Sequence, residues 1–148
     1  MDETLPIGAH LVTPRSWYDH HGIYVGNGRV VHYAGYCRGY HAGPVEEVSL
    51  AQFERGLGFR IRRHDAAPRS GQEIAARARS RIGENGYRLL ANNCEHFCEW
   101  CSSGRGRSRQ VDRLIALPRL AARRTAKTLR RVLAAFLPHP TSAAREAF

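Results

Sequence analysis

The sequence predicts an α+β domain that carries a basic C-terminal helix. Three observations lead there. Strand-like runs rich in Val, Ile and Tyr occupy the first 64 residues, two capped helical patterns lie between Ser70 and Gly104, and positive charge gathers at the end. Of the net +10 over 148 residues, residues 1–100 hold 12 arginines against 11 acids, and residues 101–148 hold 10 arginines and Lys127 against Asp112 and Glu146. A hydrophobic content of 43% supports a packed core and argues against wholesale disorder. The opening residues show no basic run followed by an apolar stretch, and no apolar run reaches the roughly 18 residues of a transmembrane helix. A cytoplasmic, reducing setting is expected, with the four cysteines as thiols or ligands rather than disulfides.

"GAHLVTP" (8–14) reads as a strand. "HHGIYVGNGRVVHYAG" (20–35) reads as a β-hairpin punctuated by Gly26-Asn27-Gly28. A two-residue loop would pair Ile23 with His32 and put His21 and His32 on one face. A three-residue loop would pair Gly22 with His32 and bring His20 and His32 together, beside Gly22 and Ala34, with room for a thiolate. The sequence permits both. The second is preferred, because Gly28 suits the left-handed third position. Residues 36–57 read as a loop-rich connection broken by Pro44, and "GFRIRRH" (58–64) as a further strand.

Ser70 and Glu73 form a capping box ahead of Ile74, Ala75, Ala78 and Ile82 at helical spacing, ended by Gly83 and Gly86. Asn92 or Asn93 caps the next helix, which carries Cys94, Phe97, Cys98 and Cys101 and closes near Gly104. Pro118 is expected to open a last helix over 119–137.

Three cysteines at C-x3-C-x2-C spacing invite several readings. The spacing resembles the cluster loop of radical S-adenosylmethionine enzymes, but that family needs a large barrel and a loop here, not a helix. Zinc would use Cys94, Cys98, Cys101 and His96 or Cys37, yet no second C-x2-C pair is present. Cys98 and Cys101 share a helical face and suit inward packing. Cys94 differs. It follows the Asn cap, where unpaired N–H groups and the helix dipole stabilise a thiolate. Such a nucleophile needs a base, and the hairpin offers histidines.

Two stretches carry a family resemblance. "HHGIYVGNGRVVH" (20–32) and "NNCEHFC" (92–98) resemble the two signature motifs of the lecithin:retinol acyltransferase-like family, and Gly106, Ser108, Gln110 and Val111 also fit. The resemblance covers about residues 6–112. It implies a circularly permuted papain-like (NlpC-type) thiol fold in a domain spanning 1–112, followed by a basic amphipathic helix and tail over 113–148. It also implies acyl transfer from phospholipid-type esters, to an amine, an alcohol or water, through a thioester. Carried over, Cys94 is the nucleophile, His20 its base and His32 the residue that orients His20. Glu95 and His96 are read as structural, and Tyr18 as an extra hydrogen-bond donor to the reacting carbonyl. No cofactor and no metal are implied.

The tail combines Leu129, Val132, Leu133, Phe136 and Leu137 with Arg123, Arg124, Lys127, Arg130 and Arg131, the pattern of a membrane-surface helix over 119–137. Its alternative is a packed terminal helix with solvated arginines. Without interleaved aromatics, nucleic acid is a poor fit. The rival functions are an NlpC-type thiol amidase or peptidase and a non-enzymatic membrane- or polyanion-binding module.

Overall fold

The computed structural model describes residues 5–36, 41–64 and 68–136. Among them the chain runs β1 (His10–Pro14), β2 (Asp19–Gly26), β3 (Arg29–Gly35), β4 (Gly43–Ser49), α1 (Leu50–Glu54), β5 (Arg60–Arg62), α2 (Gly71–Ser80), α3 (Cys94–Ser103) and α4 (Arg109–Phe136). The strands form one antiparallel sheet in the order β4-β3-β2-β1-β5, so the α+β class holds. The chain divides into two compact units, the first ending at Gln110 and the second beginning at Val111.

The hairpin resolves the question of register by using parts of both loops. Its turn has two residues, Asn27 at φ 50° and Gly28 at φ 67°, and Gly26 pairs with Arg29. An irregularity between Tyr24 and Gly26 then shifts the ladder by one residue, so that Tyr24 faces Val30 and Gly22 faces His32. The three-residue loop is therefore not formed. Its consequence still is, because a bulge supplies the extra residue.

The two sheet faces separate cleanly. Ile23, Val25, Val31, Tyr33 and Val45 pack with Ile74, Ala75 and Ala78 of α2 and with Cys94, Phe97, Cys98 and Cys101 of α3. Leu11, Val30 and Val48 pack with Phe53 of α1. Arg77 ties the two helices together. Its guanidinium lies 3.9 Å from the Trp100 ring centroid and donates to the Trp100 carbonyl at 3.1 Å.

Four expectations are corrected. The stretch 36–57 is not mainly loop. It holds edge strand β4, which tolerates Pro44 near its start, and α1, capped by Ser49 and Gln52. Ile82 lies beyond α2 and is 47% exposed. The last helix begins at Arg109 rather than beside Pro118, which stands inside it. The space beside Gly22 is filled by Phe53. A Cβ there would come within 2.7 Å of the Phe53 ring and 2.6 Å of Val30 Cγ1.

That contact generates a prediction. Gly22→Val should destabilise the fold by about 1–3 kcal/mol through overpacking. In urea unfolding, part of that loss should disappear in a Phe53→Ala background. Strictly additive effects would mean that Phe53 does not occupy this space.

Candidate active site

The strands and α3 each deliver one part of the site. On β2 and β3 the bulged register brings the two expected histidines together, with His20 Nε2 and His32 Nδ1 at 2.9 Å. Both rings are buried and lie against Phe53, with centroids 5.4 Å and 5.8 Å from its own. The Tyr18 ring stands edge-on to His20 at 6.2 Å. Burial, followed by the neighbouring His32 and Arg15, holds the His20 pKa well below 6.5, so its ring is neutral at pH 7.

Cys94 is the first residue of α3 and packs with Ile23, Val31 and Tyr33 of β2 and β3, whereas the His20 and His32 rings lie against Phe53. Asn93 is the cap. Its side-chain oxygen accepts from the Glu95 and His96 N–H groups, each at 3.0 Å, and the His96 ring closes back onto Asn93. Those two N–H groups therefore serve the cap rather than a bound oxyanion. Cys94, Cys98 and Cys101 are all buried thiols. Burial pushes the Cys98 thiol well above its usual range and the Cys101 thiol up to about 12, so both behave as packing residues at neutral pH. Cys37 lies outside the described residues.

Glu95 organises the surroundings. It is buried, and burial alone would raise its pKa. Bonds from Ser108 (2.6 Å), Arg62 (2.6 Å) and the Gln110 N–H (3.1 Å) outweigh that and bring it to about 2. One carboxylate thus joins α3, β5 and the first turn of α4. The Gln110 N–H bond falls in the first turn of α4, which starts at Arg109, and no local pattern marks Glu95 as its partner.

His21 points away from His20. Gln110 is oriented by the Asp19 backbone, with Oε1 accepting from the Asp19 N–H and Nε2 donating to its carbonyl, both at 3.2 Å. Gln110 Nε2 is also 3.2 Å from His21 Nε2 and donates there. Protons assigned on that basis run from His21 Nδ1 to His10 Nε2 (2.8 Å) and from His10 Nδ1 to His64 Nε2 (2.9 Å). Sequence reading missed His10 and His64, because neither belongs to a local motif.

His10, His64 and Glu99 each place a ligand atom within 4.8 Å of the others, the reach of a metal site. The donor set fits poorly. Metal on His10 Nδ1 would put a proton on Nε2, facing the one on His21 Nδ1. Arg62, at 2.6 Å from Glu95 and 3.1 Å from Glu99, adds positive charge beside it.

A model of the family "Lecithin retinol acyltransferase" matches residues 3–107. The chain belongs to that family. Human phospholipase A and acyltransferase 2 is 30% identical over 132 residues, covering 78% of this chain and 82% of that protein. Human phospholipase A and acyltransferase 4 is 28% identical over 115 residues, 67% and 70% of the two chains. Bovine lecithin retinol acyltransferase is 27% identical over 133 residues, covering 72% of this chain and 58% of its own.

The buried ionisable groups predict a pH response. His21, held down from 6.5 to about 4 chiefly by burial, stays neutral when folded, so its contribution is present above 6.5 and lost as pH falls towards 4. The Glu95 contribution is present above 4.5 and lost as pH falls towards 2. The unfolding temperature should therefore fall continuously below pH 6.5. Glu95→Gln should lower stability at pH 7 by about 3–5 kcal/mol by leaving Arg62 short of a charge partner. A flat melting temperature between pH 6.5 and 3 would contradict both assignments.

Proposed function

We propose that this protein is a thiol acyltransferase or phospholipase that acts on phospholipid-type acyl esters, on a circularly permuted papain-like arrangement in which the histidines precede the cysteine. The His20–His32 bond at 2.9 Å carries the reading, together with family membership and a capped helix that begins at the thiol. His20 takes the Cys94 proton. The thiolate attacks the ester carbonyl, a C–S bond forms, and the C–O bond breaks as the imidazolium returns the proton to the leaving alkoxide. Water, or an amine or alcohol, then attacks the thioester while His20 takes its proton, and the thiol is regenerated. The hydroxyl of Tyr18, edge-on to His20, serves as a donor to the oxyanion.

The reading extends to α4 as a surface for anionic lipid. Among the described residues no helix is long and apolar enough to cross a membrane. α4 exposes Leu114, Ile115, Leu117 and Leu129 to between 47% and 63% and carries Arg113, Arg119, Arg123, Arg124, Lys127 and Arg130. Leu137 lies outside the described residues.

Variants assayed on micellar short-chain phosphatidylcholine test the chemistry. Cys94→Ala should fall to background, His20→Ala should lose about 100 to 10,000-fold and His32→Ala less, while Cys98→Ala keeps its rate. A His20→Ala protein with near-normal turnover would overturn the base assignment. Cleavage of peptide amides in place of esters would favour the amidase alternative. The full chain should also sediment with anionic vesicles and far less with neutral ones, and be released as salt rises from about 0.1 to 0.5 M. Equal binding to both vesicle types would remove the membrane role.

A further inference from the structure

Residue 46 lies in the stretch that the sequence reads as loop. In the structure it is a cross-strand partner, because β3 and β4 pair His32 directly with Glu46. The two side chains meet. His32 Nε2 is 3.4 Å from Glu46 Oε1, with the carboxylate only 22% exposed and the imidazole 7%. The neighbouring Glu47 does something else, since it holds Arg29 at 3.3 Å and Arg79 at 3.1 Å. Of the two adjacent carboxylates, only Glu46 is aimed at the histidine pair.

We propose that Glu46 is a positioning residue that fixes the tautomers of the His20–His32 pair and stabilises the charge His20 acquires on taking the Cys94 proton. The inference rests on the thiol reading above. With Glu46 accepting from His32 Nε2–H, His32 Nδ1 has no proton and can only accept. His20 must then carry its proton on Nε2, to donate across the 2.9 Å contact. That leaves His20 Nδ1 as the basic nitrogen. At 3.4 Å the contact is an ion-pair distance and not an aligned hydrogen bond, and such contacts tighten as charge develops.

Electrostatics makes the carboxylate useful. The charged groups bearing most on His20, namely Arg15 after β1 and Arg55 after α1, are cationic, and the other close neighbours are His32 and His21. All of these oppose an imidazolium at His20. Glu46, one ring further along, opposes them. It shifts the balance between thiol–imidazole and thiolate–imidazolium towards the reactive form without touching substrate.

The test reads the thiol directly and needs no substrate. In the full-length protein, the rate of Cys94 alkylation by iodoacetamide is followed against pH, with the modified site identified by mass spectrometry. Glu46→Gln should slow labelling at pH 6 about tenfold and move the midpoint of the profile up by about one unit, since one pKa unit is a tenfold change in thiolate fraction. Glu46→Asp should recover part of the shift, and both variants should keep the wild-type melting temperature to within a few degrees. His20→Ala separates the two levels of the proposal. If His20→Ala shifts the profile but Glu46→Gln does not, the inference is wrong and the thiol reading survives. If neither variant moves it, both are wrong.

Discussion

The site depends on one misalignment in the hairpin. Regular pairing from the Asn27-Gly28 turn would set Ile23 against His32 and turn His20 to the other face. The irregularity at Val25 resets the ladder, and the 2.9 Å His20–His32 contact follows from it. Bulges re-aim side chains in this way. Here the re-aimed residue is His20, the proposed base, while the separate pairing of β3 with β4 brings Glu46 to His32. Phe53 then packs into the space that Gly22 leaves open and keeps water from both rings.

The other half of the site is held by Glu95. Buried charge is stable only with partners, and this carboxylate has three: Arg62 from β5, the Ser108 hydroxyl and the Gln110 N–H. Because Glu95 follows Cys94 directly, the network fixes the first turn of α3 from one side while the Asn93 cap fixes it from the other. Gln110 carries the restraint on to Asp19, one residue before His20. The helix that begins at Cys94 and the strand that carries His20 are thus anchored to one another through polar contacts.

Much of this was legible in local patterns. Ser70 and Glu73 mark α2, the Asn92-Asn93 pair and Gly104 bound α3, with Asn93 the cap in the structure, and Gly26-Asn27-Gly28 marks the hairpin, because caps and turns are decided by neighbours in sequence. The candidate residues His20, His32 and Cys94 sit inside such patterns. What stayed hidden depends on distant partners. β4 has little alternation of its own and exists through pairing with β3, so Glu46 carried no signal. His10 and His64 meet because β1 pairs with β5, far away in sequence. No local signal before Pro118 marks the start of α4, because the partner of its first turn, Glu95, lies 15 residues before Gln110 in another helix.

The central claim is that acyl groups pass through Cys94. Incubating the full-length protein with phosphatidylcholine, quenching in acid and measuring intact and peptide masses tests it most directly. The account predicts a gain of one acyl group on the peptide containing Cys94, removed by hydroxylamine and absent from Cys94→Ala. Turnover of the lipid with no trapped adduct, or an adduct on Cys98 or Cys101, would contradict it.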